Sequence, residues 1–378
     1  MTAGDREIDR RAELVGALLR GDELRQCDGK LLRWAIKRTL GGMAYYRFRH
    51  DLPAEVADKC RRQYMFGAVQ DMKYASAYAE VKGILNEVRT DFLPMKGMAL
   101  VLQGVYPNGA LRLHCDIDLL MRSEADCHRA AEALKAAGWR GPGEFDSYHH
   151  VPPLHKREVM LEIHHLIPGV RDEELNRRFW EKDFIRQGEG GEYRLPDELH
   201  FAVLFAHTAI NHDWEFGERF LLDAGMLMRR PGFDMEKSFA YCRMMGIAKP
   251  EHLLSAFPEI FGGGQGAPEA FSLLRRHVLG GTIPFASLVM TEPGRFGWSW
   301  WRKRLGGFRL KWLRQKYGAA DADWKTMLNL VWRDYRNKFI TGWKFAFKPD
   351  VAEMRKRDSA AARDALGITA PNEELNHL

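Results

Sequence analysis

The chain has 378 residues, of which 46% are hydrophobic and 29% are charged, and its formal net charge is +6. This length allows two or three hydrophobic cores, and the composition is that of an ordinary globular protein without an apolar run long enough to span a membrane. The mildly positive charge is compatible with a nucleotide or nucleic-acid partner, but it does not identify one.

The N-terminus and the cysteines predict a cytoplasmic protein. Residues 1–13 are dominated by charged side chains and lack the apolar stretch of a signal peptide. The five cysteines include no C-x-x-C pair, which indicates neither a disulfide framework nor a zinc ribbon.

The first part of the chain, residues 6–90, is predicted to be helical. Apolar side chains recur there at mixed three- and four-residue spacing, as at Leu14 and Leu18. We interpret them as packing residues and not as a cofactor-binding motif. Residues 92–95 then form the first strand of a sheet, and Pro94 places this strand at an edge or at a strand end.

The most informative segment is residues 95–121, which reads MKGMALVLQGVYPNGALRLHCDIDLLM. A glycine opens a short apolar helix, a Pro-Asn-Gly turn follows, and a strand then carries Asp116 and Asp118. Side chains alternate between the faces of a strand, so these carboxylates share one face with His114. The other face is lined by Leu113, Cys115, Ile117, Leu119 and Met121. Two adjacent carboxylates repel unless a cation lies between them, and their hard oxygen atoms suit Mg²⁺.

Three residues near the acidic strand are candidates for phosphate contacts: Lys96, Gly97 and Arg112. Glycine tolerates a positive φ and lets the backbone approach a phosphate, toward which the following helix would direct free N–H groups. A simple strand-to-helix turn and a solvated lysine are the alternatives. For Arg112, a role near the acids or phosphate and a plain salt bridge to Asp116 or Asp118 are equally well supported.

The segment after the acidic strand predicts a helix, a loop and a further strand. Ser123-Glu-Ala-Asp126 resembles a capping box, so a helix is expected to run to about Ala137 and to end at Gly138. The His- and Pro-rich residues 141–158 are predicted to form a loop with a short strand near residues 148–154.

The next predicted strand, residues 159–163, supplies a third acidic residue. Glu162 and His164 share one face of this strand. If it pairs in register beside the Asp strand, Glu162 lies near Asp116 and Asp118. His164 would then hydrogen-bond a metal-binding carboxylate or touch substrate, unless it is only a polar residue at a strand end.

Three carboxylates in this arrangement predict a two-metal site for phosphoryl transfer. Two Mg²⁺ or Mn²⁺ ions would bridge the acids and a nucleoside triphosphate (NTP) such as ATP, activate an acceptor hydroxyl and neutralise the leaving pyrophosphate. A D-x-D pair on a solvated strand face is the alternative. The order of glycine turn, helix and two acidic strands favours the metal site.

The residues after Leu195 are again predicted to be helical. One helix begins at Pro196-Asp197-Glu198 and contains His200, His207 and His212, a second covers residues 221–228, and the glycine-rich residues 261–268 form a loop. His207 and Asp223 are candidates to pair, either beside an acceptor pocket or as a structural pair. The histidine spacings do not match a zinc site.

Residues 295–347 combine many Lys and Arg side chains with tryptophans. This pattern suits RNA, a nucleotide-linked polymer or an anionic membrane surface. Amphipathic helices with buried tryptophans are the alternative, which the helical spacing slightly favours.

The order of these elements resembles the DNA polymerase β-like nucleotidyltransferase superfamily. More closely, the sequence resembles the uncharacterised bacterial nucleotidyltransferase family (NTP_transf_5), from about residue 10 to about residue 230. The residues that carry the resemblance are Lys96-Gly97, Tyr106-Pro107, Arg112, Asp116-Ile117-Asp118 and Leu161-Glu162-Ile163-His164, with weaker signals at His207, Arg219 and Asp223. Lys96-Gly97-Met98 departs from the usual Gly-Ser or Gly-Gly turn of the superfamily, and Glu162 stands where Asp is frequent.

The resemblance implies an α+β nucleotidyltransferase core, residues 91–195, between an N-terminal helical region, residues 1–90, and a C-terminal helical region, residues 196–378. It implies a Mg²⁺-dependent enzyme that transfers NMP from an NTP to an unknown hydroxyl or phosphate acceptor on a small molecule, a protein or RNA. The alternatives are an RNA- or tRNA-modifying enzyme and a nucleotide- or RNA-binding protein without chemistry. A zinc hydrolase is the least favoured interpretation.

Overall fold

A four-stranded mixed sheet carries the acidic residues. Its strands are Phe92–Met95 (β1), Ile117–Met121 (β2), Leu154–Lys156 (β3) and Val159–His164 (β4). They are arranged in the order β1-β2-β4-β3, with β2 antiparallel to β1 and parallel to β4, and β3 antiparallel to β4. The strand β1 lies at the edge, as Pro94 predicts.

The structure is a computed structural model that describes residues 3–21, 28–141, 151–167, 170, 173–181, 186–187, 193–262, 267–280 and 349–368. Residues 142–150 of the predicted loop at 141–158, residues 263–266 of the predicted loop at 261–268, and the basic, Trp-rich segment at residues 295–347 lie outside this part of the chain.

Helices precede and follow the sheet, which confirms the predicted α+β class. The N-terminal helices are Ala3–Arg20 (α1), Gly29–Lys37 (α2), Gly41–Phe48 (α3) and Ala54–Glu87 (α4). Within and after the sheet lie Lys96–Leu102 (α5), a 3₁₀ turn at Gly109–Leu111, Glu124–Ala136 (α6), Glu173–Arg178 (α7), and the two-stranded sheet of Arg186–Gln187 (β5) and Tyr193–Arg194 (β6).

The C-terminal helices are Asp197–Ala206 (α8), a π-helical turn at His207–Asn211, Gly217–Met228 (α9), Met235–Met244 (α10), Glu251–Ala256 (α11), Pro258–Phe261 (α12), a 3₁₀ turn at Glu269–Phe271, Ser272–Gly280 (α13) and Pro349–Leu366 (α14). Among the described helices, none has the length and apolar character needed to cross a membrane.

The helix α6 begins as the capping box predicts. The Asp126 N–H donates to the Ser123 side-chain oxygen at 3.1 Å, and the Ser123 hydroxyl donates to the Asp126 carboxylate at 2.8 Å. Gly138 follows the helix with φ +90°, a conformation that residues with a side chain rarely adopt.

The strands β2 and β3 begin at residues other than those predicted from the sequence. The acidic strand β2 begins at Ile117 and not at Leu113, because the segment before it is held elsewhere: the Tyr74 hydroxyl donates to the Cys115 carbonyl at 2.8 Å. The short strand β3 begins at Leu154, where the predicted strand was to end.

Two apolar cores hold these elements together. In the first, one face of the sheet packs on the C-terminal half of α4 and on α6, through residues such as Val81, Ile117, Leu134 and Leu161. The second core is helical and combines residues of α1 to α3 with residues of α8 to α14. Leu93, Met95 and Leu120 on the opposite face of the sheet belong to this helical core. The acidic face of the sheet is therefore turned toward the helices.

Candidate active site

Two carboxylates meet across the parallel pair of β2 and β4. The register places Asp118 opposite Glu162 and Leu120 opposite His164, which confirms the predicted pairing of the two acidic strands. Because residues two apart share a face of a strand, Asp118, Glu162 and His164 project from the same face. One ligand atom from each of the three lies within 4.8 Å of the others.

Asp116 lies immediately before β2 and is half-buried beside this group. Burial raises the pKa of Asp116, and the charges of Asp118 and Glu162 raise it further, to about 7, against the opposing charge of Lys96. The three carboxylates therefore bring more negative charge than Lys96 alone neutralises.

Lys96 makes the closest contact with the acidic group. Its Nζ atom lies 2.6 Å from Oδ1 of Asp118, and the lysine is buried. Burial alone would lower the pKa of Lys96, but the charges of the neighbouring carboxylates outweigh it and raise the pKa. Burial alone would likewise raise the pKa of Asp118, but Lys96 and His164 hold it well below its ordinary value. Both members of the pair are therefore charged at neutral pH.

The turn between β1 and α5 is left-handed at Lys96, where φ is +49°. Gly97 was singled out from the sequence because glycine tolerates a positive φ, but the positive φ of this turn lies at Lys96 and not at Gly97. A Cβ atom at Gly97 would lie 3.3 Å from the central carbon of the Arg112 guanidinium. The glycine thus leaves room for Arg112, while the lysine takes the strained backbone conformation that directs its ammonium group to Asp118.

His164 links the two strand carboxylates and is fully buried. Its Nε2 atom lies 3.0 Å from Oδ1 of Asp118 and 3.5 Å from Oε2 of Glu162. Burial alone would lower the pKa of His164, but the interactions with Asp118 and Glu162 outweigh it and raise the pKa. This contact has the form expected for a histidine that orients metal-binding carboxylates.

Arg112 pairs with a carboxylate on a helix far along the chain. Its Nε atom lies 2.9 and 3.1 Å from the two carboxylate oxygens of Asp223 in α9, and the Tyr106 hydroxyl donates to the same carboxylate. Burial alone would lower the pKa of Arg112, but the Asp223 charge outweighs it and raises the pKa. A buried, charge-assisted pair therefore ties the Gly97 turn to the C-terminal helices.

This pair differs from two predictions. The sequence offers Asp116 or Asp118 as the partner of Arg112, and His207 as the partner of Asp223, but Arg112 and Asp223 bind each other. A guanidinium brings a full charge and several donors in one plane, so it satisfies a buried carboxylate better than a neutral imidazole does.

The predicted histidine helix is interrupted. The α-helix α8 ends at Ala206, His207 opens the π-helical turn, and His212 lies just beyond it. The rings of His207 and His212 are 4.4 Å apart. Burial lowers the pKa of His212, as does the charge of Lys96, while Glu162 and Asp118 oppose the shift. His212 therefore lies within electrostatic reach of the acidic group. No role is predicted for His212 from the sequence, although its close spacing to His207 was a signal.

The donor set fits a divalent cation. Asp116, Asp118 and Glu162 offer hard carboxylate oxygens, and burial together with the charges of Asp118 and Glu162 raises the pKa of Asp116 to about 7. Within the described residues, the group with metal-ligand geometry comprises Asp118, Glu162 and His164. Asp116 stands beside this group and not within it.

A sheet with carboxylates on adjacent strands, flanked by helices, is consistent with a nucleotidyltransferase core, and the comparison with protein families gives this class of enzyme. The family model described as an uncharacterised nucleotidyltransferase matches residues 27–262, which is more than half of the chain. The protein belongs to this family (NTP_transf_5) and is a transferase. The match starts later and extends further than the predicted similarity over residues 10–230. No curated protein and no solved structure matches the chain significantly.

Proposed function

We propose that the protein is a Mg²⁺-dependent nucleotidyltransferase that transfers NMP from an NTP to a hydroxyl or phosphate acceptor and releases pyrophosphate. The observation that carries this proposal is the convergence of acids around one buried lysine. Asp118 and Glu162 are paired across parallel strands, Asp116 lies beside them, and Lys96 contacts Asp118.

In this proposal, Asp116, Asp118 and Glu162 hold Mg²⁺ or Mn²⁺. When bound, the cation would lower the pKa of an acceptor hydroxyl and offset the charge that develops on pyrophosphate. His164 keeps the Asp118 and Glu162 carboxylates in position by contacting both of them. Because Oδ1 of Asp118 already faces Lys96 and His164, this carboxylate is fixed before any ligand binds.

Lys96 is proposed to act at the boundary between the acids and the triphosphate. Its ammonium keeps Asp118 ionised and adds positive charge where phosphate groups would lie. Gly97 continues the same turn and is the proposed backbone contact with phosphate. Arg112 is assigned a positioning role, because its guanidinium is buried, packs against Gly97 and is paired with Asp223.

The proposed reaction replaces one phosphoester bond by another. An acceptor oxygen attacks the α-phosphorus of the NTP, and the bond from that phosphorus to the oxygen bridging to the β-phosphate breaks. Pyrophosphate leaves with the electron pair of that bond, and the acceptor proton passes to water. The chain contributes mainly by holding the reacting groups in line.

Transfer of two differently labelled NTPs to acceptors in a cell extract tests this function. With Mg²⁺, label at the α-phosphate is expected to enter an acceptor, whereas label at the γ-phosphate is expected to appear in pyrophosphate. Glu162→Gln should lose transfer, while Glu132→Gln, which alters an exposed glutamate of α6, should keep it. Transfer of the γ-label would indicate a kinase-type reaction instead. Nucleotide binding without transfer of either label would favour a binding protein.

A further inference from the structure

The turn between α8 and α9 has an unusual backbone. The last part of α8 continues as the π-helical turn His207–Asn211, a form of helix that is rare and is frequent at functional sites. Asp213 and Trp214 then both adopt positive φ angles, +43° and +65°, although neither is glycine. Such conformations persist only where the surroundings enforce them.

Contacts from two later helices hold this turn in place. The Asp213 carboxylate accepts a hydrogen bond from the Ser359 hydroxyl of α14 at 2.8 Å, and its Oδ1 atom lies 3.0 Å from Nε2 of His277 in α13. Trp214 is buried against Phe205 and Phe220. Contacts with α13, α14 and the helical core therefore hold the backbone of this turn, and some of its side chains remain exposed.

The presented side chains are His212, Phe216 and Arg219, which we name the aromatic shelf. Phe216 directly precedes α9 and is 44% exposed, although most large apolar residues of α9 are buried. The centroid of its ring lies 6.0 Å from that of His212, and the Arg219 guanidinium lies 5.5 Å from it. An exposed ring beside a planar cation and an imidazole is a surface suited to stacking.

Arg219 is fixed without an acidic partner. It donates to the Thr39 hydroxyl at 2.7 Å and lies 3.9 Å from the Cys115 sulfur. Within the part of the chain that the structure describes, no carboxylate lies within ion-pair distance of Arg219. Its positive charge is thus available to an anionic ligand.

Two observations place the aromatic shelf near the acidic group. Arg219 contacts Cys115, the residue directly before Asp116. His212, at the other end of the shelf, interacts electrostatically with Glu162 and Lys96. A molecule whose phosphates lie at the acids would therefore extend toward the shelf.

We propose that the aromatic shelf binds the nucleobase of the NTP, by stacking on Phe216 and His212 beside the guanidinium of Arg219. This assignment rests on the proposed nucleotidyl transfer. It adds that the turn between α8 and α9 recognises the base of the NTP. Stacking uses the π-face that every base has, so the shelf favours nucleotides over inorganic polyphosphate and discriminates little among the four bases.

Calorimetric binding of two ligands tests the shelf in the presence of Mg²⁺. The first ligand is α,β-methylene-ATP, which cannot donate NMP, and the second is inorganic tripolyphosphate, which has no base. Phe216→Leu is expected to weaken binding of the nucleotide roughly tenfold and to leave binding of tripolyphosphate unchanged. The matched control is Phe66→Leu, which alters a phenyl ring of similar exposure, 54%, on α4 and should bind both ligands as the wild type does.

Equal nucleotide binding by wild type and Phe216→Leu would overturn the assignment, as would an equal loss of both ligands. Circular dichroism of each variant excludes a folding defect as the cause. Failure of the wild type to bind either ligand would instead contradict the proposed nucleotidyl transfer itself.

Discussion

At the scale of single residues, the site is organised around the ion pair of Lys96 with Asp118. The lysine has a left-handed backbone, which costs about 1–3 kcal/mol for a residue with a side chain. Its ammonium nevertheless lies 2.6 Å from a carboxylate that is 1% exposed. The strained backbone of Lys96 thus occurs together with a buried ion pair. Removing the ammonium would leave the buried charge of Asp118 without its closest positive partner.

Two substitutions at Lys96 separate these effects. Lys96→Ala keeps the strained backbone and removes the charge, so it is expected to destabilise the protein by about 3–5 kcal/mol. Lys96→Gly removes the same charge but accepts the positive φ, and should be more stable than Lys96→Ala by about 1 kcal/mol. Urea unfolding measures both differences. If Lys96→Ala were as stable as the wild type, the ion pair would not contribute as described.

Residue alternation along strands was enough to predict which acids meet. The two-residue period put Glu162 and His164 on one face, and the parallel register did place Glu162 beside Asp118. The partner of Arg112 was not predictable in the same way. Asp223 is 111 positions away, and the pairing depends on how α9 packs against the turn at Gly97.

At the scale of elements, the space around a helical glycine shows how closely a neighbouring helix packs. Gly16 of α1 lies so close to α12 that a methyl group would overlap the Glu259 carbonyl oxygen. Gly83 of α4 is different, because a Cβ atom there would have no neighbour within 4 Å. Both are helical glycines, so the same substitution tests packing at one position and helix propensity at the other.

Gly16→Ala is expected to destabilise the protein by about 1–3 kcal/mol, since the overlap with α12 outweighs the better helix propensity of alanine. Gly83→Ala is the matched control and should stabilise by up to about 1 kcal/mol. Thermal or urea unfolding of both variants measures the contrast. Stabilisation by Gly16→Ala would show that α1 and α12 are not in this contact.

The elements themselves were largely predictable, and their ends were less so. Apolar periodicity predicted helical regions before and after the sheet, the capping box predicted α6, and strand patterns predicted β1, β2 and β4. The bounds of α7 and of α10 to α14 were not predicted. The turn from β3 to β4 gave no signal, because Arg157 and Glu158 take positive φ angles that are more typical of Gly or Asn. The change from α-helix to π-helix at His207 also depends on tertiary contacts, such as those made by Asp213, that no local pattern encodes.

At the scale of the whole molecule, the N-terminal and C-terminal helices share one core. Side chains of α1 to α3 pack with those of α8 to α14, although the sheet lies between them in the sequence. Consecutive regions could be proposed from composition, but their shared core could not, because it joins segments more than 200 residues apart. Histidines buried in this helical core, such as His200, make the free energy of unfolding depend on pH.

His200 is expected to make stability fall in acid. Burial lowers the pKa of His200 from 6.5 to about 4. Between these pH values only the unfolded chain takes up the proton, so the stability present above pH 6.5 is lost as the pH falls toward 4, by about 3 kcal/mol. His200→Gln should reduce that slope. Urea unfolding at pH 7.5 and pH 5 provides the comparison, and identical pH slopes in the two proteins would contradict this assignment.

The measurement that tests the central claim most directly is pyrophosphate release from each of the four NTPs with Mg²⁺, using cell extract cleared of its own activity as the source of acceptor. Wild type is compared with the Asp116→Ala/Asp118→Ala variant after both are shown to be folded. Release by the wild type alone is the predicted result, because the paired acids would hold the cation. Equal release by both proteins would contradict the assignment of Asp116 and Asp118 as the catalytic carboxylates.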